Sequence, residues 1–145
     1  MKVANHSDLF EGLNSHQQLV SKYGRTLTKQ DNIKYTLMTQ NTNPIHFDDV
    51  YAEQTEFKET LVDSTFTLGL TVGQATALFK KVMHLKHINE IKLPSPVFEG
   101  DTLHTVLQVI APIQLEKANG VHVLLKGINQ RKQTVMELDC IFVEG

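Results

Sequence analysis

The sequence feature that most constrains this chain is a run of sixteen residues without a charged side chain, from Ser64 to Phe79. As a helix it is too short to span a membrane comfortably, because the hydrocarbon core takes about 20 apolar residues. Apolar side chains occur on several sides of such a helix, which is typical of a helix enclosed within a domain. Asp63 and Ser64 are good N-cap residues. We therefore predict a buried helix from Ser64 to about Lys80.

Three strand-like runs follow this segment and predict the sheet that encloses it. They combine apolar alternation with β-branched residues, and their sequences are TLHTVLQVI, GVHVLLKGI and TVMELDCIFV. Residues 129–133 are typical of a hairpin turn between the last two runs. Upstream of the charge-free run, Thr28 is a plausible N-cap for one short helix, and residues 48–54 predict another. This order predicts an α+β fold with an antiparallel sheet wrapped around one long helix.

The composition excludes several classes of protein. A chain of 145 residues fits one domain, and we expect a single domain over residues 1–145. The formal net charge of −2 gives no general attraction to nucleic acid or an anionic membrane. Cys140, the single cysteine, excludes an internal disulfide and a cysteine-based zinc site, and we expect no metal. The N-terminal MKVANHSDLFEGL lacks a signal-peptide core, so we expect a cytoplasmic protein that binds neither nucleic acid nor membrane.

The residues best suited to chemistry lie just upstream of the predicted long helix. His46 stands in N-T-N-P-I-H-F-D, between two apolar residues and after a run of turn-forming amides. A partly enclosed imidazole titrates near neutral pH and can act as a general acid or base. A structural histidine that hydrogen-bonds a backbone carbonyl is the alternative interpretation, and the pattern leaves both open.

The start of the long helix is the second candidate site. Its first N–H groups have no partner within the helix and carry the positive end of the helix dipole. A free N–H at or near Ser64 can bind a carbonyl oxygen that becomes an enolate. Simple capping by Asp63 or Ser64 is the alternative, and on the sequence it is the more frequent case.

The order and spacing of several motifs resemble the MaoC-like dehydratases, which are hotdog-fold acyl-thioester hydratases. The resemblance extends from Thr28 to Leu107. It rests on T-K-Q-D-N-I-K-Y, N-T-N-P-I-H-F-D-D-V-Y-A, T-E-F, L-V-D-S-T-F-T-L-G-L and P-S-P-V-F-E-G-D-T-L. Within this family, which includes the (R)-specific enoyl-CoA hydratases, the chain is most similar to the mesaconyl-CoA hydratase-like branch.

The resemblance implies a function and a set of site residues. The substrate is an acyl-CoA or acyl-carrier-protein thioester, no separate cofactor is needed, and the protein forms a homodimer or higher homo-oligomer. The family motif G-D-x-N-P-x-H holds the attacking water between its Asp and His. His46 takes the His position, while Asn41 stands in place of the Asp and orients water without accepting its proton. Asp63 and Ser64 replace a His-Gly pair as substrate-binding residues, and Asp63 is a candidate for the missing carboxylate.

Three functions are compatible with this resemblance. The first is a hydratase or dehydratase of 2-enoyl or 3-hydroxyacyl thioesters, with His46 as acid and base. The second is a hotdog thioesterase, which needs a carboxylate such as Asp63 near the helix. The third is a non-catalytic acyl-thioester-binding subunit, which the loss of the usual Asp at Asn41 favours. Lysine and arginine residues that are candidates for binding carrier phosphates are Lys80, Lys81, Arg131 and Lys132.

Overall fold

The largest element of this fold is an antiparallel sheet. The computed structural model describes residues 6–12 and 16–145, so the predictions made on residues 1–5 and 13–15 lie outside it. The strands in the described residues are β1 (Gln18–Val20), β2 (Arg25–Thr26), β3 (Met83–Lys92), β4 (Thr102–Gln114), β5 (Asn119–Ile128) and β6 (Thr134–Glu144). All pairs are antiparallel, in the order β1-β4-β5-β6-β3, and β2 pairs with β4. The three predicted strands are β4, β5 and β6.

Four α-helices and one 3-10 helix precede or interrupt the strands in this part of the chain. They are α1 (His6–Leu9), α2 (Lys29–Thr39), the 3-10 helix (Pro44–His46), α3 (Asp49–Glu53) and α4 (Ser64–Thr76). The predicted N-cap Thr28 is confirmed: its hydroxyl accepts from the Asp31 N–H, and the Asp31 carboxylate accepts from the Thr28 N–H. The second predicted short helix is α3, which begins after the N-cap Asp48.

The long helix α4 differs from the prediction in two ways. It ends at Thr76, about one turn before Lys80, because Phe79 leaves the helix and packs between Phe10 and Phe142, with ring centroids 4.7 and 5.1 Å away. The sequence, which is apolar on several sides, predicted an enclosed helix, and the enclosure is incomplete. The sheet covers only one face of α4, and the glycines of the opposite face are exposed.

Two apolar clusters fix α4 against the sheet. The larger one contains inward-facing side chains of the long strands, such as Leu107, Leu125 and Phe142, which are fully buried. The smaller one surrounds the beginning of α4 and contains Leu27, Val62, Val97, Leu103 and Val135. Because both ends of the helix are anchored in this way, its N-terminus has a fixed position. The α+β architecture, a sheet wrapped around one long helix, is confirmed.

Within residues 6–12 and 16–145, none of the helices combines the length and the apolar character that a membrane crossing requires.

We predict that the protein is at least a dimer in solution. Large apolar side chains are exposed on α2, α3 and the loop after β3: Leu37 at 73%, Met38 at 82%, Val50 at 69% and Leu93 at 53%. β3 is also an edge strand of the sheet, and such edges are commonly covered by pairing or packing. Light scattering at micromolar concentration should give at least twice the mass of one chain. A particle with the mass of a single chain contradicts this prediction.

Candidate active site

His46 ends the 3-10 helix and faces the segment that leads into α4. The local turn is set by Asn43, whose side-chain oxygen accepts from the Ile45 N–H, and by Pro44, whose fixed φ suits the first helical position. The His46 Nδ1 lies 2.9 Å from the carbonyl oxygen of Leu61. A carbonyl only accepts hydrogen bonds, so in the neutral ring Nδ1 carries the hydrogen and Nε2 carries the basic lone pair. The structural contact considered from the sequence is therefore present, and it leaves Nε2 available for chemistry.

Asn32 joins the separate segments of the site, and its role was not predicted from the sequence. It is fully buried in the first turn of α2. Its amide nitrogen donates to the carbonyl oxygens of His46 (3.0 Å) and Leu61 (2.8 Å), and its oxygen accepts from the Asp63 N–H (3.0 Å). A third acceptor, Glu99 Oε1, lies 3.3 Å from the same nitrogen. The signal in the sequence was an asparagine inside a helix, a residue type that helices disfavour.

Asp63 is the N-cap of α4, as predicted, and the structure brings its carboxylate to Asn41. The Asn41 amide nitrogen donates to Asp63 Oδ2 at 2.6 Å. The other oxygen, Oδ1, accepts from the N–H and the hydroxyl of Thr65, at 2.8 and 2.7 Å. Asp63 is only 4% exposed, so its carboxylate is held by neighbouring protein groups. Asn41 Oδ1 accepts from the Asn43 N–H at 2.9 Å, which fixes the orientation of the Asn41 amide.

The environment of Asp63 keeps it ionised. Burial by itself would raise the pKa of this carboxyl, but hydrogen bonds from Thr65 and Asn41, with the charge of nearby His46, lower the pKa below its ordinary value. The carboxylate also lies at the positive end of the α4 dipole. The site thus holds a fixed negative charge close to His46, although Asn41 itself is neutral.

Ser64 presents the free N–H that the sequence suggested. The Asp63 side chain caps the Thr65 N–H, and the Asp63 carbonyl accepts from Phe66 and Thr67. In the described part of the chain, no acceptor takes the Ser64 N–H, the first of the helix. A backbone donor at a helix N-terminus is suited to binding an oxygen that gains negative charge.

A cavity of about 230 Å³ lies against the start of α4. Ser64 lines it, as does Leu61, whose carbonyl contacts His46. The remaining lining residues are mostly apolar: Phe57, Val62, Thr67, Leu93, Pro94, Ser95, Pro96, Val97 and Val135. The cavity therefore connects the predicted substrate-binding residue to a space suited to an uncharged chain.

Asn41 also lines a second, wider groove of about 520 Å³ on the α2 side of the site. Its other lining residues are Ile33, Thr36, Leu37, Gln40, Thr42 and Phe47. Two of the basic residues considered for carrier phosphates are engaged elsewhere. Arg131 pairs with the buried Asp101 at 3.1 Å, and Lys81 pairs with Glu144 at 3.1 Å.

Comparison with known proteins gives a consistent picture. The family described as MaoC like domain matches residues 13–129 of this chain. The 3-hydroxyacyl-(acyl-carrier-protein) dehydratase FERN, mitochondrial, of Solanum lycopersicum is 28% identical over 97 residues. That alignment covers 67% of this chain and 58% of the tomato protein, so the chain spans less than two thirds of this relative's length.

Two solved structures share the fold. The R-hydratase PhaJ1 of Pseudomonas aeruginosa superposes with a TM-score of 0.76 at 23% identity, covering 94% of this chain and 85% of that one. A MaoC-like dehydratase of Rhodospirillum rubrum superposes with a TM-score of 0.78 at 19% identity, covering 94% and 95%. These likenesses confirm the predicted hotdog fold. The assignment to the mesaconyl-CoA hydratase-like branch stays a prediction.

The environment of Asp63 predicts a pH-dependent contribution to stability. Because folding lowers the pKa of Asp63, the ionised carboxylate stabilises the fold above its ordinary pKa of 3.8, and this contribution disappears as the pH falls through the folded-state pKa. Near neutral pH, Asp63→Asn should lower the free energy of unfolding by about 1 kcal/mol. The difference from the wild type should shrink below pH 3.8, as measured by urea unfolding across pH.

A matched control is available in α3. Asp48→Asn replaces the N-cap aspartate of that helix, which is exposed and contacts the Tyr51 N–H without the amide and hydroxyl donors that surround Asp63. If the Asp63→Asn difference stays constant from neutral pH down to acid unfolding, the fixed-charge account of the site is wrong.

Proposed function

Because the chain belongs to the MaoC-like domain family, we propose that it is an acyl-thioester hydratase/dehydratase. It adds water to a 2-enoyl thioester or removes water from the 3-hydroxyacyl thioester. The observation that carries this proposal is the grouping of His46, Asn41 and Asp63 at the N-terminus of α4, beside a free Ser64 N–H. The named relatives, a dehydratase and an R-hydratase, support the same reaction class.

In the proposed reaction, His46 is the general base and then the general acid. Its Nε2 takes a proton from water as the water oxygen bonds to the third carbon of the enoyl chain. The contact of Nδ1 with the Leu61 carbonyl holds the ring in the tautomer that leaves Nε2 basic. The imidazolium then returns a proton to the second carbon, so that water has been added across the double bond.

The negative charge that develops on the thioester oxygen is bound at the start of α4. The Ser64 N–H donates to this oxygen, and the helix dipole adds a favourable field. Placing the thioester carbonyl here directs the acyl chain into the 230 Å³ cavity that Ser64 lines. The limited volume of the cavity and its mostly apolar lining suit a short acyl chain.

In this proposal, Asn41 and Asp63 together take the role of the single catalytic aspartate of the family. Asn41 uses one amide hydrogen on Asp63 and keeps a second hydrogen and an oxygen lone pair, with which it orients the attacking water. Asp63 supplies the negative charge that stabilises the His46 imidazolium. In this arrangement Asp63 acts through Asn41 and His46, while Ser64 makes the direct contact with substrate.

The proposed substrate is a coenzyme A or acyl-carrier-protein thioester, and the proposed reaction needs no cofactor beyond it. We propose a homodimer or higher homo-oligomer in the cytoplasm. Exposed apolar side chains near the site, such as Leu37 and Phe47, support an assembly in which a second chain covers this surface.

The first test is the loss of His46. His46→Asn retains an amide N–H that can donate to the Leu61 carbonyl but has no basic nitrogen that can take a proton from water. We expect hydration of crotonyl-CoA, followed as loss of absorbance of the conjugated double bond, to fall by roughly a hundredfold or more. Full activity in a folded His46→Asn protein contradicts the mechanism.

A control on the opposite face of the sheet separates this effect from damage to the fold. His104 alternates with the buried Leu103 and Thr105 on β4, so it points away from α4, and His104→Asn should keep the wild-type rate.

Release of free thiol without loss of the double bond would favour the thioesterase alternative. Calorimetric binding of butyryl-CoA, with neither reaction, would favour the non-catalytic subunit.

Exchanging the two side chains at Asn41 and Asp63 gives the sharpest test of how they share the role. Asn41→Asp alone places two carboxylates at a contact of 2.6 Å, so one of them holds a proton at neutral pH. Any gain in hydration should then appear only at higher pH. The double variant Asn41→Asp/Asp63→Asn reverses the hydrogen bond and restores the family pattern of one aspartate beside histidine.

The double variant should therefore hydrate crotonyl-CoA faster than the single Asn41→Asp variant at neutral pH. The two rates should converge as the pH rises and the shared proton is lost. Rates that are equal for both variants at every pH would show that Asp63 does not interact with position 41 during catalysis.

A further inference from the structure

Tyr35 joins α2 to the beginning of α4 through a second set of contacts, about one turn after Asn32. Its hydroxyl donates to Thr65 Oγ1 at 3.0 Å, and its ring stacks on Phe66, with centroids 4.8 Å apart and planes inclined by 12°. Phe66 packs against the smaller apolar cluster, so the stack holds the Tyr35 ring in place. The contacts of Tyr35 therefore fall on the two residues that follow Ser64 in the first turn of α4.

The Thr65 hydroxyl links Tyr35 to the Asp63 carboxylate. Thr65 Oγ1 lies 2.7 Å from Asp63 Oδ1. An ionised carboxylate only accepts hydrogen bonds, so the single hydrogen of the Thr65 hydroxyl points to Asp63. The Tyr35 hydroxyl is then the donor to Thr65, and the three groups form a chain in which each hydrogen bond has one direction. Hydrogen bonds arranged in such a chain polarise and strengthen one another.

This chain fixes the orientation of the Asp63 carboxylate. Its Oδ1 accepts both the N–H and the hydroxyl of Thr65, which leaves Oδ2 directed to the Asn41 amide at 2.6 Å. Burial raises the pKa of Asp63, and the hydrogen bond from the Thr65 hydroxyl is the largest of the contacts that lower it. Thr65 itself is exposed, so without Tyr35 its hydroxyl is free to turn away from Asp63 toward water.

We propose that Tyr35 is a positioning residue of the site: its hydroxyl directs the Thr65 hydroxyl onto Asp63 and so holds the carboxylate toward Asn41. The inference rests on the proposed function, in which Asp63 supplies the negative charge that stabilises the His46 imidazolium. In that reaction neither Tyr35 nor Thr65 contacts the substrate. Their loss should therefore slow the chemical step without weakening substrate binding.

The test measures kcat and KM for hydration of crotonyl-CoA in the wild type, Tyr35→Phe, Thr65→Val and the double variant. Tyr35→Phe keeps the ring stack and removes only the hydroxyl. It should lower kcat by roughly twofold to tenfold, the effect of one hydrogen bond, and leave KM unchanged. Thr65→Val, which removes the donor to Asp63, should lower kcat at least as far. In the Thr65→Val background, Tyr35→Phe should have no further effect, because the Tyr35 hydroxyl has lost its acceptor.

Two further variants separate this effect from changes in the fold. Thr65→Ser retains the hydroxyl, so it should keep a kcat close to that of the wild type and the same sensitivity to Tyr35→Phe. Tyr23→Phe removes the hydroxyl of a tyrosine that lies before β2 and is 73% exposed, and it should keep the wild-type kcat.

An unchanged kcat in Tyr35→Phe, or an equal loss in the wild-type and Thr65→Val backgrounds, overturns the inference and leaves the hydratase proposal intact. If the wild type does not hydrate crotonyl-CoA, the hydratase proposal falls, and urea unfolding of the same four proteins at neutral pH then decides. A lower unfolding midpoint caused by Tyr35→Phe in the wild type, but not in Thr65→Val, supports the ordering of Asp63 through Thr65. Equal shifts in both backgrounds, or no shift in either, overturn it.

Discussion

The buried amide of Asn32 is the interaction on which the rest of the site depends. Three chain segments meet at this one side chain: the 3-10 helix through the His46 carbonyl, the strand-like residue Leu61, and the start of α4 through the Asp63 N–H. The Asp63 N–H is buried and the His46 and Leu61 carbonyls are partly buried, so leaving them without partners would be costly. Satisfying all three with one amide fixes His46 relative to the helix N-terminus, which is the spacing that the proposed chemistry needs.

The charge in this site comes from the helix cap. In most helices, an N-cap aspartate only satisfies a free N–H and interacts with the dipole. Here the same carboxylate also binds Asn41 and lies close to His46. One carboxylate therefore both caps the helix and supplies the charge of the site. The chain thus keeps a negative charge beside His46 although the motif position, Asn41, is an amide.

The strands and the short helices were predictable because their signals are local. Alternation in β4 to β6 follows from burial of one face, and Thr28 and Asp48 cap their helices through bonds that span three residues. The end of α4 was not predictable in this way, because it is set by aromatic packing of Phe79 on residues far away in the sequence. Its exposed face was missed for a related reason: small residues such as Gly69 and Gly73 carry almost no polar signal, whether a second layer covers them or not.

By itself, the sequence determined the α+β order of elements, the candidate role of His46, and the capping residues, since each depends on neighbours within a few positions. Only the tertiary structure decided which groups meet. It brought Asn41 onto Asp63, 22 residues away, and Asn32 onto Asp63, 31 residues away. Among the described residues, it also left the Ser64 N–H without an acceptor. Such pairings depend on how buried polar groups are shared among segments that are distant in the chain. Periodicity and propensity describe each segment separately, so they carry no information about that sharing.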